Sequence, residues 1–248
     1  RLDKDNFWQA GDTGPCGPSS EIFWDKGPEF GEGGGPAHGD EDRFIEFWNL
    51  VFMQYDQGTD GSRTDLPNPS IDTGMGLERL VSVLQGVESV WDTDELFALQ
   101  SAAAALTGVD PATAEPEQLV SLRILADHAR STSMLVSDGV FPSNEARGYV
   151  LRRILRRAVR HAYLLGVETP VMGGMVDAVV EVMGPDYPDL VENHSFIRDV
   201  IDREETRFRE TLRTGQAILD EQIDALAPGE PLPGDTAFLL HDTYGFPL

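Results

Sequence analysis

The residue pattern changes character near residue 90. Before that point, Gly and Pro interrupt short aromatic and β-branched runs. After it, apolar residues recur at helical spacing between clear start and stop signals. This switch predicts an α+β chain with two domains, 1–90 rich in strand and 91–248 all-helical. In the first part, 21–25 and 44–55 read as strands, the latter aromatic and β-branched throughout and so buried on both faces. Residues 27–42 form a Gly/Pro/acid loop and 60–68 read as turn. A helix over 77–85 stops at Gly86. Further helices are predicted to about residue 106 with Asp92 or Thr93 as cap, over 117–136, 147–165, 171–183 and 195–226, with a short one after residue 234.

The 248 residues suffice for one large or two ordinary domains, and 40% hydrophobic with 25% charged residues describes a globular chain. No apolar run reaches the 18 residues that a membrane span needs. Arg1-Leu2-Asp3-Lys4 is no signal peptide, and one cysteine, Cys16, excludes an internal disulfide framework. Together these point to the cytoplasm. The formal charge of −24 argues against general polyanion binding. One stretch breaks that rule: from Arg147 to Arg160 there are six arginines and no acid, while the only lysines are Lys4 and Lys26. Such a chain can repel polyanions broadly and accept one at a defined place; the plain reading of the overall acidity is that it aids solubility.

Three constellations carry chemistry. The first, Asp72-Thr73-Gly74-Met75-Gly76-Leu77-Glu78-Arg79, reads as strand, glycine turn and helix. Its glycines admit a ligand close to the backbone, its helix N-terminus favours anions, and Arg79 on the first turn could reach a phosphate or stack on a purine. The second is the arginine helix. Arg152, Arg156 and Arg160 recur every four residues, Arg153 and Arg157 form a parallel row, and apolar residues fill the other face. The plain alternative is a solvated helix paired to acids elsewhere. The third, Asn144 and Asp242, far apart in sequence, is singled out by the resemblance described below. The five histidines are scattered, without zinc-ligand spacing. Trp8 and Trp48 could equally be core residues. Asn49 in an apolar strand is harder to explain so, because a buried amide demands partners.

Gly74-Met75-Gly76-Leu77-Glu78-Arg79 resembles motif 3 of the class II aminoacyl-tRNA synthetases. The segments Asp5-Asn6-Phe7-Trp8-Gln9-Ala10-Gly11-Asp12-Thr13-Gly14-Pro15-Cys16-Gly17-Pro18, Glu46-Phe47-Trp48-Asn49-Leu50-Val51-Phe52-Met53-Gln54, Ser143-Asn144-Glu145-Ala146-Arg147-Gly148-Tyr149 and Asp242-Thr243-Tyr244-Gly245-Phe246-Pro247 resemble the alanine-specific family within that class, in the same order.

The resemblance implies the second half of an antiparallel-sheet catalytic domain followed by a helical tRNA-recognition domain. It implies L-alanine, ATP with Mg²⁺, and the acceptor stem of tRNA(Ala) as ligands. Trp8, Asn49, Val51, Asp72 and Gly74 would surround alanine, with Asp72 on its ammonium group. Trp8, the backbone of Phe47, Trp48 and Asn49, Gly76 and Arg79 would lie against ATP, with Glu21 on its Mg²⁺ side. Arg147, Arg152, Arg153, Arg156 and Arg157 would meet tRNA phosphates. Asn144 and Asp242 would read a G·U pair through the wide minor groove of A-form RNA. Counterparts of motifs 1 and 2 and of the zinc-dependent editing domain are not found in the chain. It is therefore expected to be part of a longer enzyme and nearly inactive alone. A non-catalytic RNA-binding module and a class II paralogue activating another small acid are the alternatives.

Overall fold

A computed structural model describes residues 6–31, 42–227 and 229–240. It divides into two compact units at Thr93/Asp94. In the first, four strands, β1 (Phe7–Gln9), β2 (Gly14–Asp25), β3 (Phe44–Gln57) and β4 (Arg63–Met75), form one antiparallel sheet in that order. Helix α1 (Leu77–Gln85) follows, and Gly86 ends it in the left-handed conformation at φ 67°. The second unit holds α2 (Asp94–Thr107), α3 (Pro116–Ser137), α4 (Ala146–Leu164), α5 (Met172–Met183), α6 (Pro188–Glu192), α7 (His194–Asp224) and α8 (Gly234–Phe238). The protein is thus α+β.

Two strands are longer than the residue pattern predicts, each for a local reason. β2 starts at Gly14 because Gly17 tolerates a very close β3 backbone. A side-chain carbon there would stand 1.8 Å from the carbonyl oxygen of Phe52. β4 runs through Pro67 and Pro69 because it is an edge strand, where a missing N–H costs no ladder bond on its outer side. The prolines fall where the β3–β4 register slips, between the Tyr55–Asp65 and Met53–Ser70 pairs. β3 is paired on both edges, yet most of its side chains are only half-buried and Val51 is its one buried apolar residue. The expectation of burial on both faces is therefore corrected.

The helical unit is closer to expectation. Glu115 and Gln118 form a capping box at the start of α3. Thr93 does not cap α2: its hydroxyl donates to the Val90 carbonyl at 2.6 Å, and the Glu95 N–H goes to the Asp94 carboxylate at 3.0 Å. The core is built on Leu122 and Leu125 of α3, Leu151 and Leu155 of α4, Met172 and Met175 of α5, and Ile197 and Ile201 of α7, all fully buried. Each such side chain contributes about 1.5–3 kcal/mol of burial. At 31 residues, α7 spans ~46 Å and serves as the long wall of this core.

Candidate active-site face and arginine helix

Strand register places four of the five predicted small-substrate residues, Asn49, Val51, Asp72 and Gly74, together with Glu21. Glu21 pairs with Asn49, and Asn49 with Gly74; one step along, Ser19 pairs with Val51, and Val51 with Asp72. Directly paired residues share a face, and alternate residues along a strand do too. Glu21, Asn49, Val51, Asp72 and Gly74 therefore line one face across β2, β3 and β4. The opposite face carries Ile22, Trp48, Leu50, Phe52, Ile71 and Met75, with Ser20 and Thr73, by the same parity, so the first face is the more polar of the two and Val51 is its buried apolar member. Among the described residues, neither the Asn49 amide nor the Asp72 carboxylate makes a hydrogen bond or ion pair. A side-chain carbon at Gly74 would sit 3.2 Å from Asn49 Oδ1, which accounts for glycine there.

The second half of the motif is anchored by a bulge. The β2–β3 register shifts between Ile22 and Phe23, leaving Phe47 as the extra residue between Glu46 and Trp48. Two carbonyls there hold the motif helix. Gly76 N–H donates to Phe47 O at 2.9 Å, and Arg79 Nη1 donates to Glu46 O at 2.6 Å. This brings Phe47, Gly76 and Arg79 together at the bulge. The side chain of Trp48 lies on the other face, with its Nε1 buried and without a partner among the described residues; only its backbone belongs to the candidate site. Trp8, on β1, pairs with Gly17 and is 39% exposed. A register shift between Cys16 and Ser19 separates that pair from the Glu21–Asn49 row, so register does not bring Trp8 into it.

Glu21 is held above the usual carboxylate range, first by burial and then by the negative charge of Glu46. Glu46 was not singled out from sequence. Its one signal is being the only acid within the aromatic run 44–55.

Five of the six α4 arginines divide into two sets, the half-buried Arg160 belonging to neither. Arg147, Arg153 and Arg157 are exposed, and among the described residues none has a carboxylate within ion-pair distance. Arg153 stacks over the Tyr149 ring at 5.8 Å. Arg152 and Arg156 turn instead to Glu204 of α7, which is only 6% exposed. Arg156 Nε donates to its Oε1 at 2.8 Å, and Arg152 Nε lies 3.1 Å from the same oxygen without hydrogen-bond alignment. Arg152 also donates to Asn144. Asn144 is exposed in the loop before α4; Asp242 lies outside the described residues.

Glu204 and Glu205 escaped the sequence reading although a signal exists. The apolar spacing Ile197, Ile201, Phe208, Leu212 puts both acids on the buried face of α7.

Behind the arginine rows, the Ser121 hydroxyl donates to Glu117 O at 2.9 Å and meets His161 Nδ1 at 3.0 Å. A hydroxyl has one hydrogen, so here it accepts from an Nδ1–H and fixes the neutral tautomer. Burial, then the charges of Arg157, Arg160 and His128, lower the His161 pKa from 6.5. A histidine so depressed binds its proton more readily when unfolded. Its contribution to stability is therefore present above the ordinary value and declines as pH falls below it. An NMR titration is expected to put the His161 midpoint below 6.5; a midpoint at or above that value excludes this arrangement.

The sequence model of the family described as "tRNA synthetases class II (A)" matches residues 1–248, and the chain belongs to that family. Among its curated relatives, the "Alanine--tRNA ligase" of Magnetococcus marinus is 57% identical over 246 residues, 98% of this chain and 28% of the relative. That of Rhodopseudomonas palustris is 57% identical over 245 residues, 98% and 27% respectively. That of Granulibacter bethesdensis is 56% identical over 246 residues. The chain thus spans a little over a quarter of the length of these relatives.

Proposed function

We propose that this chain is a segment of an alanine–tRNA ligase, comprising the motif 3 half of the catalytic domain (1–90) and a helical tRNA-recognition domain (91–248). The observation that carries the reading is the Asn49 amide and Asp72 carboxylate, without a partner among the described residues, on one sheet face beside a glycine turn tied to β3 through Gly76 and Arg79. An ammonium group entering that face meets Asp72, and Asn49 orients the same small molecule. Val51 and Gly74 leave little room for a larger side chain, and Trp8 forms an outer wall. The substrate carboxylate attacks the α-phosphorus of ATP and pyrophosphate leaves. The terminal hydroxyl of tRNA(Ala) then attacks the acyl carbon and AMP leaves. Arg79 binds a phosphate of ATP, the backbone at Phe47, Trp48 and Gly76 lies along the nucleotide, and catalysis is positioning with charge stabilisation. Glu21 beside Glu46 offers the hard oxygen donors that Mg²⁺ takes, and the cation's chemistry is to neutralise phosphate charge. Arg147, Arg153 and Arg157 supply phosphate contacts, Asn144 and Asp242 address the acceptor-stem G·U pair, and the place of action is the cytoplasm.

The test is ATP–pyrophosphate exchange by the full-length protein carrying this chain, with alanine, glycine and serine compared. Exchange is expected to be strongest with alanine. Preference for another acid identifies a paralogue; no exchange with tRNA binding intact identifies a non-catalytic module.

A further inference from the structure

We infer that Arg152 is a positioning residue that presents Asn144 purely as a hydrogen-bond donor, with Glu204 holding Arg152 from inside the helical unit. The inference deepens the proposed reading of Asn144 and rests on it.

The loop before α4 has a fixed backbone. Ser143 N–H donates to Gly148 O at 3.1 Å, and the Ser143 hydroxyl donates to Glu145 O at 2.9 Å. Ala146 enters the helix at φ 48°, in the left-handed region that alanine seldom occupies. That backbone leaves one freedom open: the Asn144 amide can be turned over, exchanging its oxygen for its nitrogen.

Arg152 removes that freedom. Its Nη1 donates to Asn144 Oδ1 and its Nη2 to Pro142 O at 3.4 Å. A guanidinium has donors and no acceptor, so only the oxygen of the amide can face it. Both N–H groups of Asn144 are left for an outside partner. In an RNA minor groove they suit an acceptor, uracil O2 or purine N3, and do not suit the guanine amino group.

Arg152 is itself held. Its Nε lies 3.1 Å from Glu204 Oε1, the oxygen that also accepts from Arg156. Its charge is shared with a buried carboxylate and its donors are directed at the loop, so little of it is offered to a phosphate. The exposed arginines of α4 differ on each count.

The experiment measures aminoacylation of tRNA(Ala) transcripts carrying G·U or G·C at the recognised pair, and the salt dependence of binding, using the full-length protein. Arg152→Gln is expected to reduce the G·U preference about tenfold. It is expected to leave the salt slope as in the wild type, and to add no loss to Asn144→Ala. Arg153→Gln is expected to keep the preference and lower the salt slope by about one. Asn144→Asp keeps an oxygen toward Arg152 and removes both donors, so it is expected to lose the preference as fully as Asn144→Ala.

An Arg152→Gln protein that keeps its preference while its salt slope falls marks Arg152 as a phosphate ligand and overturns the inference. If Asn144→Ala loses the preference and Arg152→Gln does not, the inference alone falls. If Asn144→Ala keeps the preference, the reading of Asn144 falls and the inference with it. Should Arg152→Gln fail to fold, Asn144→Asp decides: wild-type preference in that variant overturns the donor assignment.

Discussion

In the full-length protein that carries this chain, Asp72→Asn is expected to lower alanine-dependent pyrophosphate exchange by about a hundredfold or more, with the thermal midpoint unchanged. The two halves of this expectation have separate grounds. Asp72 is exposed on the edge strand and has no partner among the described residues, so the fold loses nothing when its charge is removed. On the proposed reading, a substrate ammonium held against this face gives up water on binding, and the Asp72 carboxylate compensates it. Removing one member of a desolvated pair costs about 3–5 kcal/mol, and each 1.4 kcal/mol is about tenfold. Asparagine keeps the shape and one acceptor oxygen, so the loss reports the charge. Near-normal exchange by the variant would show that Asp72 does not hold the ammonium group. A large fall in the thermal midpoint would show instead that it supports the strand.

Much of the candidate face was legible because it depends on local rules. Asn49 and Val51 are two apart on β3, as are Asp72 and Gly74 on β4, so each pair necessarily shares a face once the strands form. The helix after the glycine turn begins and ends where its residues say, at Leu77 and Gln85. Features set by neighbours distant in sequence were not legible. Pro67 and Pro69 argue for a turn, and only the edge position of β4 lets the strand pass through them. The bulge at Phe47 leaves no mark in composition, yet it orients the two carbonyls that hold Gly76 and Arg79. Glu46 becomes chemically significant only because it approaches Glu21.

The arginine helix shows the same limit differently. Its period predicts two parallel rows, and both rows form. Which row is spoken for depends on Glu204, 48 residues from Arg156. From sequence alone, Arg152, Arg153, Arg156 and Arg157 share one expected role. Burial and pairing give the members of each row different surroundings, and hence different expected responses to salt.

The adjacent acid, Glu205, is expected to contribute strongly to the stability of the helical unit. Its carboxylate is fully buried. Oε1 accepts from Val171 N at 3.0 Å and Arg209 Nε at 2.9 Å, and Oε2 accepts from Met172 N at 2.8 Å. Val171 is the N-cap residue of α5 and gives the helix no side-chain cap, so a carboxylate from α7 supplies the acceptor that the free N–H groups at a helix start require. Arg209 completes the unit by donating from Nη1 to Val167 O at 2.7 Å. Glu205→Ala strands two buried N–H groups and a guanidinium whose side chain is 6% exposed. A loss of about 3–5 kcal/mol is expected, a large part of the 5–15 kcal/mol that holds a typical domain together. Glu205→Gln retains one acceptor and should fall between. Glu205→Ala combined with Arg209→Met should be less damaged than Glu205→Ala alone, because the uncompensated charge goes with its partner. Denaturant unfolding gives the size of the effect, and hydrogen exchange gives its place: the amides of Val171 and Met172 should lose protection first. A Glu205→Ala protein within about 1 kcal/mol of the wild type, with those amides still protected, would mean that α5 is fixed by its apolar face alone and that Glu205 is merely tolerated beneath it.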